Sequence, residues 1–337
     1  MKVAAIIPCY RVANHVVEVV SAALERLDHV FIVDDACPEG TGDLISATFP
    51  ADRVTVLRHP DNRGVGGATI TGYRAAIKAG YDVLVKIDGD GQMDPAYLPA
   101  LLQPVLSADA DYAKGNRFYR KRDLKRMPAT RILGNSMLSL LNKASSGYWN
   151  VMDPTNGFTA LSRTAAQEIE WSKISNRYFF ESDLLFRLNI ARAVVQDVPI
   201  PARYGEENSS LRILPAVPTF LFGHVRNFVK RFFYNYIVRD FSVGTVHAIG
   251  GAILFVFGVT FGAIAWAHSA RTGQDTPVGT VMVAALPIIL GFQLLLAALS
   301  FDIASAPTRP LQRILFIPPE RRLADSDPLP LGKRRRP

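Results

Sequence analysis

The sequence is poor in cysteine, with two among 337 residues, Cys9 and Cys37. That is too few for a disulfide framework, and both thiols read as reduced, structural groups of a cytosolic domain. A secretory leader is not evident either: the opening MKVAAIIPCYR is short and strand-like, and Pro8 and Arg11 interrupt it. No internal repeat relates the two halves. Acidic residues are the minority, 30 against 38 lysines and arginines, for a formal charge of +8. A basic balance fits nucleic acid, an anionic membrane surface or phosphorylated substrates. Two stretches that lack charge altogether favour the second and third of these and argue against nucleic acid.

Those stretches are 243–267 and 278–301. As helices each would reach roughly 35 Å, enough to cross a bilayer. The loop HSARTGQDTP between them carries one basic residue, Arg271. Arg226, Lys230, Arg231 and Arg239 precede the first span, and Arg309, Arg313, Arg321, Arg322 and the 333–336 cluster follow the second. This asymmetry predicts a hairpin over 242–302, with the catalytic domain and both termini cytoplasmic at the cell (inner or plasma) membrane. The Pro- and Arg-rich tail, 303–337, is expected to be poorly ordered and drawn to anionic lipid. Upstream, 216–241 is amphipathic: Val225, Phe228, Val229, Phe232, Tyr236 and Ile237 form an apolar stripe, with Arg226 and Lys230 on another face. It predicts a helix lying in the headgroup layer, the alternative being an ordinary core helix.

Residues 1–215 form the remaining unit. Its first half alternates apolar runs with amphipathic stretches, which predicts βαβ units and a mainly parallel sheet flanked by helices. Strands are expected at Val3–Ile7, Val30–Val33, Val54–Leu57 and Asp82–Ile87. Helices are expected from Val16, from Thr41, at Thr69–Ala79, at Arg131–Asn142 and at Glu181–Ala193. Polar residues at the ends of strands one, two and four point to one site, because open α/β sheets bind ligands beyond the carboxyl ends of their strands. The fourth strand delivers Asp88 and Asp90 into a glycine-lined turn, with Gln92 two residues on. Two carboxylates so spaced can share a divalent ion with diphosphate oxygens, and Mg2+ or Mn2+ suits oxygen ligands. Alone, such a pair also describes a solvated turn.

The runs AAIIPCYR (4–11), VDDACPEGTGDL (33–44), HPDNRGVGGATITGYRAA (59–76) and KIDGDGQMDP (86–95) resemble family 2 glycosyltransferases of the GT-A fold. GNRF (115–118) and DPTNGFTALSR (153–163) narrow the resemblance to polyprenyl-phosphate sugar synthases of the dolichol-phosphate-mannose synthase type. The resemblance implies a GT-A domain followed by the interfacial helix and two transmembrane helices. It implies a nucleotide-sugar donor, carrying UDP or GDP, and a polyprenyl-phosphate acceptor. Pro8 and Tyr10 would line the nucleoside pocket, and Asp35 with Asp34 would hold base or ribose, although helix capping explains that pair as well. Asn62, Arg63 and Gly64 match a turn at which glycines would admit the diphosphate to backbone N–H groups. Asp88, Asp90 and Gln92 match the family's metal-binding pattern, and Arg117, with Arg131 more loosely, matches a phosphate-binding arginine.

Eight basic residues between 114 and 131 face one acid, Asp123. They form either a solvated face or a clamp for the acceptor phosphate. Glu181 and Asp183 either position the acceptor or serve as first-turn acids of a helix; a phosphate acceptor, already largely ionised at neutral pH, needs no dedicated base. Ser209, Ser210 and Arg212 match a loop that would close over the diphosphate. The rival readings are a hydroxyl acceptor, such as diacylglycerol or a glycan, and a non-catalytic membrane scaffold. Sugar, nucleotide and any homo-oligomer are left open.

Overall fold

The structure, a computed structural model, describes residues 1–119, 129–201 and 213–315, the side chains of 129–131 and 213–216 excepted. Seven strands form one mixed sheet: β1 (Val3–Cys9), β2 (His29–Asp34), β3 (Val54–Arg58), β4 (Val83–Lys86), β5 (Tyr112–Asn116), β6 (Thr159–Ser162) and β7 (Val195–Pro199). Their order is β3-β2-β1-β4-β6-β5-β7, and β6 alone runs antiparallel to its neighbours.

The strands are apolar on both faces because helices cover both. Successive side chains alternate across a sheet, so Ala5 and Ile7 join a core with Val16, Val20, Leu101 and Val105. Ala4 and Ile6 face the opposite core, with Tyr73, Phe180 and Leu184. The first core is closed by α1 (Ala13–Leu24), which buries Val16, Val19, Val20 and Ala23 at helical spacing, and by α4 (Leu98–Leu106). The second is closed by α3 (Gly64–Lys78) and α7 (Phe180–Ile190). The helices α2 (Thr41–Thr48), α5 (Ala129–Ser146) and α6 (Arg163–Gln167) complete this unit.

The chain reverses direction across the sheet between β1 and β4, where a doubly wound sheet opens a ligand crevice. Ile6 pairs with Lys86 there. Because β6 is antiparallel, its first residue, Thr159, pairs with both Lys86 and Lys114. The carboxyl ends of β1, β4 and β5 and the entry to β6 therefore meet at one edge.

The C-terminal part consists of α8 (Ile213–Phe233), a π-helical turn (Tyr234–Arg239), α9 (Val243–Thr272), α10 (Val278–Ala304) and a short α11 (Leu311–Ile314). α9 and α10 are long and apolar enough to cross a membrane, and almost none of their surface is buried. They exceed the expected spans because the helices continue through the polar ends, taking in Arg271 and Asp302 and leaving a shorter loop. They pack as an antiparallel pair along glycines seven residues apart. A Cβ on Gly244 would strike Phe301 at 2.4 Å, one on Gly251 the Gly291 carbonyl at 3.0 Å, and one on Gly258 Ile288 at 2.7 Å. Small residues of this kind let helix backbones approach closely.

α8 is inside out. Its polar side chains His224, Asn227 and Arg231 are buried against the domain, whereas Leu221, Phe222, Val225, Phe228 and Val229 are exposed. An ordinary core helix has the reverse arrangement. α5 behaves likewise, burying Ser139, Asn142 and Ser145 and exposing Leu133, Met137 and Leu140.

The tail departs from expectation. As far as Leu315 it returns to the catalytic domain: the N–H groups of Leu311 and Gln312 donate to the buried Asp111 carboxylate, and Arg313 pairs with Asp109 at 2.7 Å. The same carboxylate accepts from the Val194 N–H at 2.8 Å, so one buried acid ties the returning segment to the chain entering β7. Residues 316–337 lie outside the described residues.

Candidate active site

Lys86 is the last residue of an otherwise apolar strand and is 1% exposed. A buried ammonium needs partners, and two carboxylates supply them: Asp88 Oδ1 at 2.6 Å and Glu181 Oε1 at 3.4 Å. Burial alone would lower its pKa, but Asp88 and Glu181 more than offset that and raise it. Lys86 thus ties the tip of β4 to the first turn of α7. Across the crevice the chain must be glycine at 157, since a Cβ there would lie 2.6 Å from Asp88 Oδ2 and 2.3 Å from Lys86 Nζ. Beyond Asp88 the turn is drawn tight by the Gln92 N–H donating to Asp90 Oδ1 at 3.0 Å, with Gly91 at a φ of 75°.

Beside this cluster, Arg117 grips Asp153 through two parallel bonds, Nε to Oδ2 at 2.7 Å and Nη2 to Oδ1 at 2.8 Å. Burial pushes the Asp153 carboxyl up, but the Arg117 guanidinium outweighs it and the pKa falls. Lys114, fully buried in β5, donates to the Asn156 carbonyl. Desolvation pulls its pKa down to about 8, against the opposing effect of Asp153, Glu181 and Asp197. Lys114 and Arg117 together fix both ends of the 153–156 turn that presents Gly157. The basic run is therefore neither wholly a solvated face nor wholly a clamp: its first residue is an internal strut and its second is committed to a buried carboxylate. Arg131 has no described side chain, and Ser209, Ser210 and Arg212 lie outside the described residues.

The acid pair after β2 and the glycine turn opening α3 both have partners within the chain. The Asp34 carboxylate accepts from the N–H groups of Cys37 and Gly42, and that of Asp35 from those of Arg63 and Gly64 and from His59 at 2.6 Å. Both acids thus fasten helix starts, α2 and α3, where unpaired N–H groups need acceptors. The glycines opening α3 lie tight against the chain. A Cβ on Gly64 would lie 2.7 Å from the Asn176 carbonyl and one on Gly66 2.6 Å from that of Ser175, and the Gly67 N–H already donates to Asn176. Their role is close approach of the chain to itself. Asn62 donates to the Asp35 carbonyl at 3.3 Å. Pro8 is half-buried in β1 between the fully buried Ile7 and Cys9, and Tyr10, just past the strand, is exposed with Arg11 over its ring at 5.4 Å.

Glu181 and Asp183 separate cleanly. Glu181 belongs to the Lys86–Asp88 cluster. Asp183 is fully buried and accepts from the Ser175 N–H at 2.9 Å and from Asn227 of α8 at 3.0 Å, so it anchors the inside-out helix.

The family model for glycosyl transferase family 2 matches residues 4–170. The undecaprenyl-phosphate mannosyltransferase of Micrococcus luteus is 34% identical over 208 residues, 59% of this chain and 83% of that protein. The chain belongs to glycosyl transferase family 2. The UDP-N-acetylglucosamine–dolichyl-phosphate N-acetylglucosaminyltransferase of Methanococcus voltae is 29% identical over 215 residues, 60% of this chain and 85% of the relative. Among solved structures, glucosyl-3-phosphoglycerate synthase of Mycobacterium tuberculosis in complex with uridine diphosphate superposes with a TM-score of 0.50 at 18% identity, covering 68% of this chain and 79% of that one. This likeness establishes the GT-A type of fold. The protein is a glycosyltransferase.

A divalent ion at this cluster would draw on oxygen ligands. Among the described residues no three His, Cys, Asp or Glu side chains gather into a self-contained metal centre. Mg2+-type sites, however, commonly use one or two carboxylates and take the rest of their ligands from substrate phosphates and water. Asp88 and Asp90 meet that requirement: Lys86 occupies one oxygen of Asp88, and the other faces the cradle kept clear by Gly157. Gln92 engages Asp90 through its backbone N–H, and its side chain, partly exposed, flanks the turn. The sequence reading missed Lys86, Lys114, Asp153, Gly157 and His59. The signal for Lys86 was a lone charge in a fully apolar strand.

Proposed function

We propose that this glycosyltransferase moves a hexose or related sugar from a nucleotide-sugar, UDP- or GDP-linked, to a polyprenyl phosphate at the cytosolic face of a membrane. One observation carries the reading. α7 offers Glu181 to the carboxylate cluster and, two residues on, fixes α8 through Asp183 and Asn227, so the reacting end sits beside a helix whose apolar face is exposed. A lipid-borne acceptor suits that juxtaposition, and the names of both relatives specify polyprenyl-type phosphate acceptors while differing in the sugar.

In this reading residues 1–215 are catalytic, 216–241 lie in the headgroup layer, and 242–302 cross the bilayer twice. The return of Leu311–Ile314 to Asp111 supports a hairpin with both ends on the catalytic side. Asp88 and Asp90, with Gln92 beside them, would hold Mg2+ or Mn2+; the ion, when bound, neutralises charge on the departing nucleoside diphosphate. Pro8 and Tyr10 border the nucleoside. Arg117, aligned by Asp153, would meet phosphate, a role the family resemblance extends to Arg131, Ser210 and Arg212; Asp35 with Asp34 would hold base or ribose, and the turn at Asn62 and Gly64 would border the diphosphate. Glu181 orients the acceptor. Lipid phosphate oxygen attacks the anomeric carbon in line as the diphosphate leaves, inverting configuration, so positioning and electrostatics supply most of the catalysis.

The test incubates membranes with radiolabelled UDP- and GDP-sugars and polyprenyl phosphate. The expected product is a labelled lipid released by mild acid; label found only in an acid-stable lipid or glycan establishes a hydroxyl acceptor instead.

A further inference from the structure

Where the chain enters and leaves the apolar hairpin, a cavity of about 260 Å3 opens between the end of α7, the π-helical turn, and the facing ends of α9 and α10. It shares no residue with the carboxylate cluster. Its charged lining is three arginines, Arg192, Arg231 and Arg239, and two aspartates, Asp240 and Asp302. These are unequally committed. Asp302 is neutralised: Arg231 holds it at 2.6 and 3.0 Å, and Tyr236 and Trp149 donate to it at 2.5 and 2.7 Å.

Arg192 and Arg239 are anchored through neutral acceptors, the carbonyls of Ser305 and Ile190, and Arg239 also lies over the Tyr234 ring at 4.9 Å. Among the described residues neither is paired with a carboxylate. Arg192 takes a φ of 65°, a left-handed backbone that side chains other than glycine seldom adopt. Arg231, 3% exposed, has a buried Nε without a partner among the described residues. The amides of Asn189 and Asn235, joined at 2.9 Å, add neutral hydrogen-bonding capacity. The π-helical turn Tyr234–Arg239 widens the backbone here, a departure often found at functional positions.

We propose that this cavity binds a singly charged phosphate group carried by an anionic phospholipid, a site separate from donor and acceptor. Guanidinium groups match phosphate oxygens, the net lining charge is positive by one (three arginines less two aspartates), and the cavity opens at the base of the hairpin, where headgroups lie. The site rests on the membrane placement proposed above and is independent of the sugar-transfer chemistry. An anionic lipid seated there would bridge α7, the π-helical turn and both hairpin helices, and so couple catalytic domain and hairpin.

The test reconstitutes the full-length chain in nanodiscs of phosphatidylcholine alone or with phosphatidylglycerol, and reads thermal unfolding and retained lipid by native mass spectrometry. Wild type should retain phosphatidylglycerol and unfold at higher temperature in its presence. Arg192→Gln/Arg239→Gln should lose roughly tenfold or more of that preference, and Arg192→Lys/Arg239→Lys should recover part of it, which excludes misfolding as the cause. Inorganic phosphate added to neutral discs should not protect. Equal protection by inorganic phosphate overturns the lipid source, and a wild type indifferent to phosphatidylglycerol, or a double glutamine variant that keeps the preference, overturns the site. Flotation with neutral vesicles tests the membrane placement separately.

Discussion

Gly157→Ala isolates the geometry of the carboxylate cluster better than removing any of its charges. Gly157 does not use left-handed backbone, so the added methyl group is the only change. Its carbon would lie 2.6 Å from Asp88 Oδ2, and ordinary contact begins near 3.4 Å, so the carboxylate must retreat by about 0.8 Å. The Lys86 ammonium, 2.3 Å from the same point, must retreat further. It cannot swing away freely, because it is enclosed and held by both Asp88 and Glu181. Overpacking of this kind costs about 1–3 kcal/mol of stability, which a domain of this size withstands. Displacing a reacting constellation by about 1 Å costs on the order of 100-fold in rate. Sugar transfer at saturating donor, measured beside thermal unfolding of the same detergent-solubilised preparation, should show a folded protein with kcat reduced on that order. A folded Gly157→Ala protein within about threefold of wild type would refute the reasoning that Asp88 must stay where Gly157 leaves room.

The roles of the α7 acids predict different losses. Glu181→Gln should slow transfer by about tenfold or less, since a phosphate acceptor needs no base; a loss of 100-fold or more would indicate general-base catalysis and a hydroxyl acceptor. Asp183→Asn should instead lower the unfolding temperature and loosen α8, read by limited proteolysis. Arg231→Ala leaves Asp302 buried without its cation and should destabilise the protein by about 3–5 kcal/mol, whereas Arg231→Ala/Asp302→Ala should lose less than the sum of the single changes. His224, on the buried face of α8 and bonded to Ser145, is pulled down to about 4 by burial. The unfolded chain therefore takes up its proton first as pH falls. Stability should be full above the ordinary histidine pKa of 6.5 and decline as pH falls towards 4, by an amount on the order of 3 kcal/mol. His224→Gln should flatten that decline in unfolding measured against pH.

The sheet was legible because buried parallel strands are written as continuous apolar runs, and the first three expected strands lie within the observed ones. The start of α3 was not. Gly64 reads locally as loop, and what makes it helical is Asp35, nearly thirty residues earlier, accepting from its N–H. The acidic pair after β4 could be read from the turn, and Lys86 stands out as a lone charge in its strand, but the cluster could not be read, because one partner of Lys86, Glu181, comes from α7. For the same reason Asp153 and Lys114 carried no local sign of their roles. Amphipathicity in α8 was visible in the spacing. Which face turns inward was not, since an apolar stripe ordinarily marks the buried side, and only the docking of His224, Asn227 and Arg231 shows the inversion.

The account depends most on a divalent ion joining Asp88 and Asp90 to the donor's diphosphate. Calorimetric titration of UDP and GDP into the full-length protein, with Mg2+ or Mn2+ and then with excess chelator, measures this directly. One nucleotide should bind with the ion present and weaken by at least about tenfold without it, and Asp90→Asn should remove the ion's effect while leaving the protein folded. Nucleotide binding of equal strength with chelator, or unchanged ion dependence in Asp90→Asn, would contradict the account.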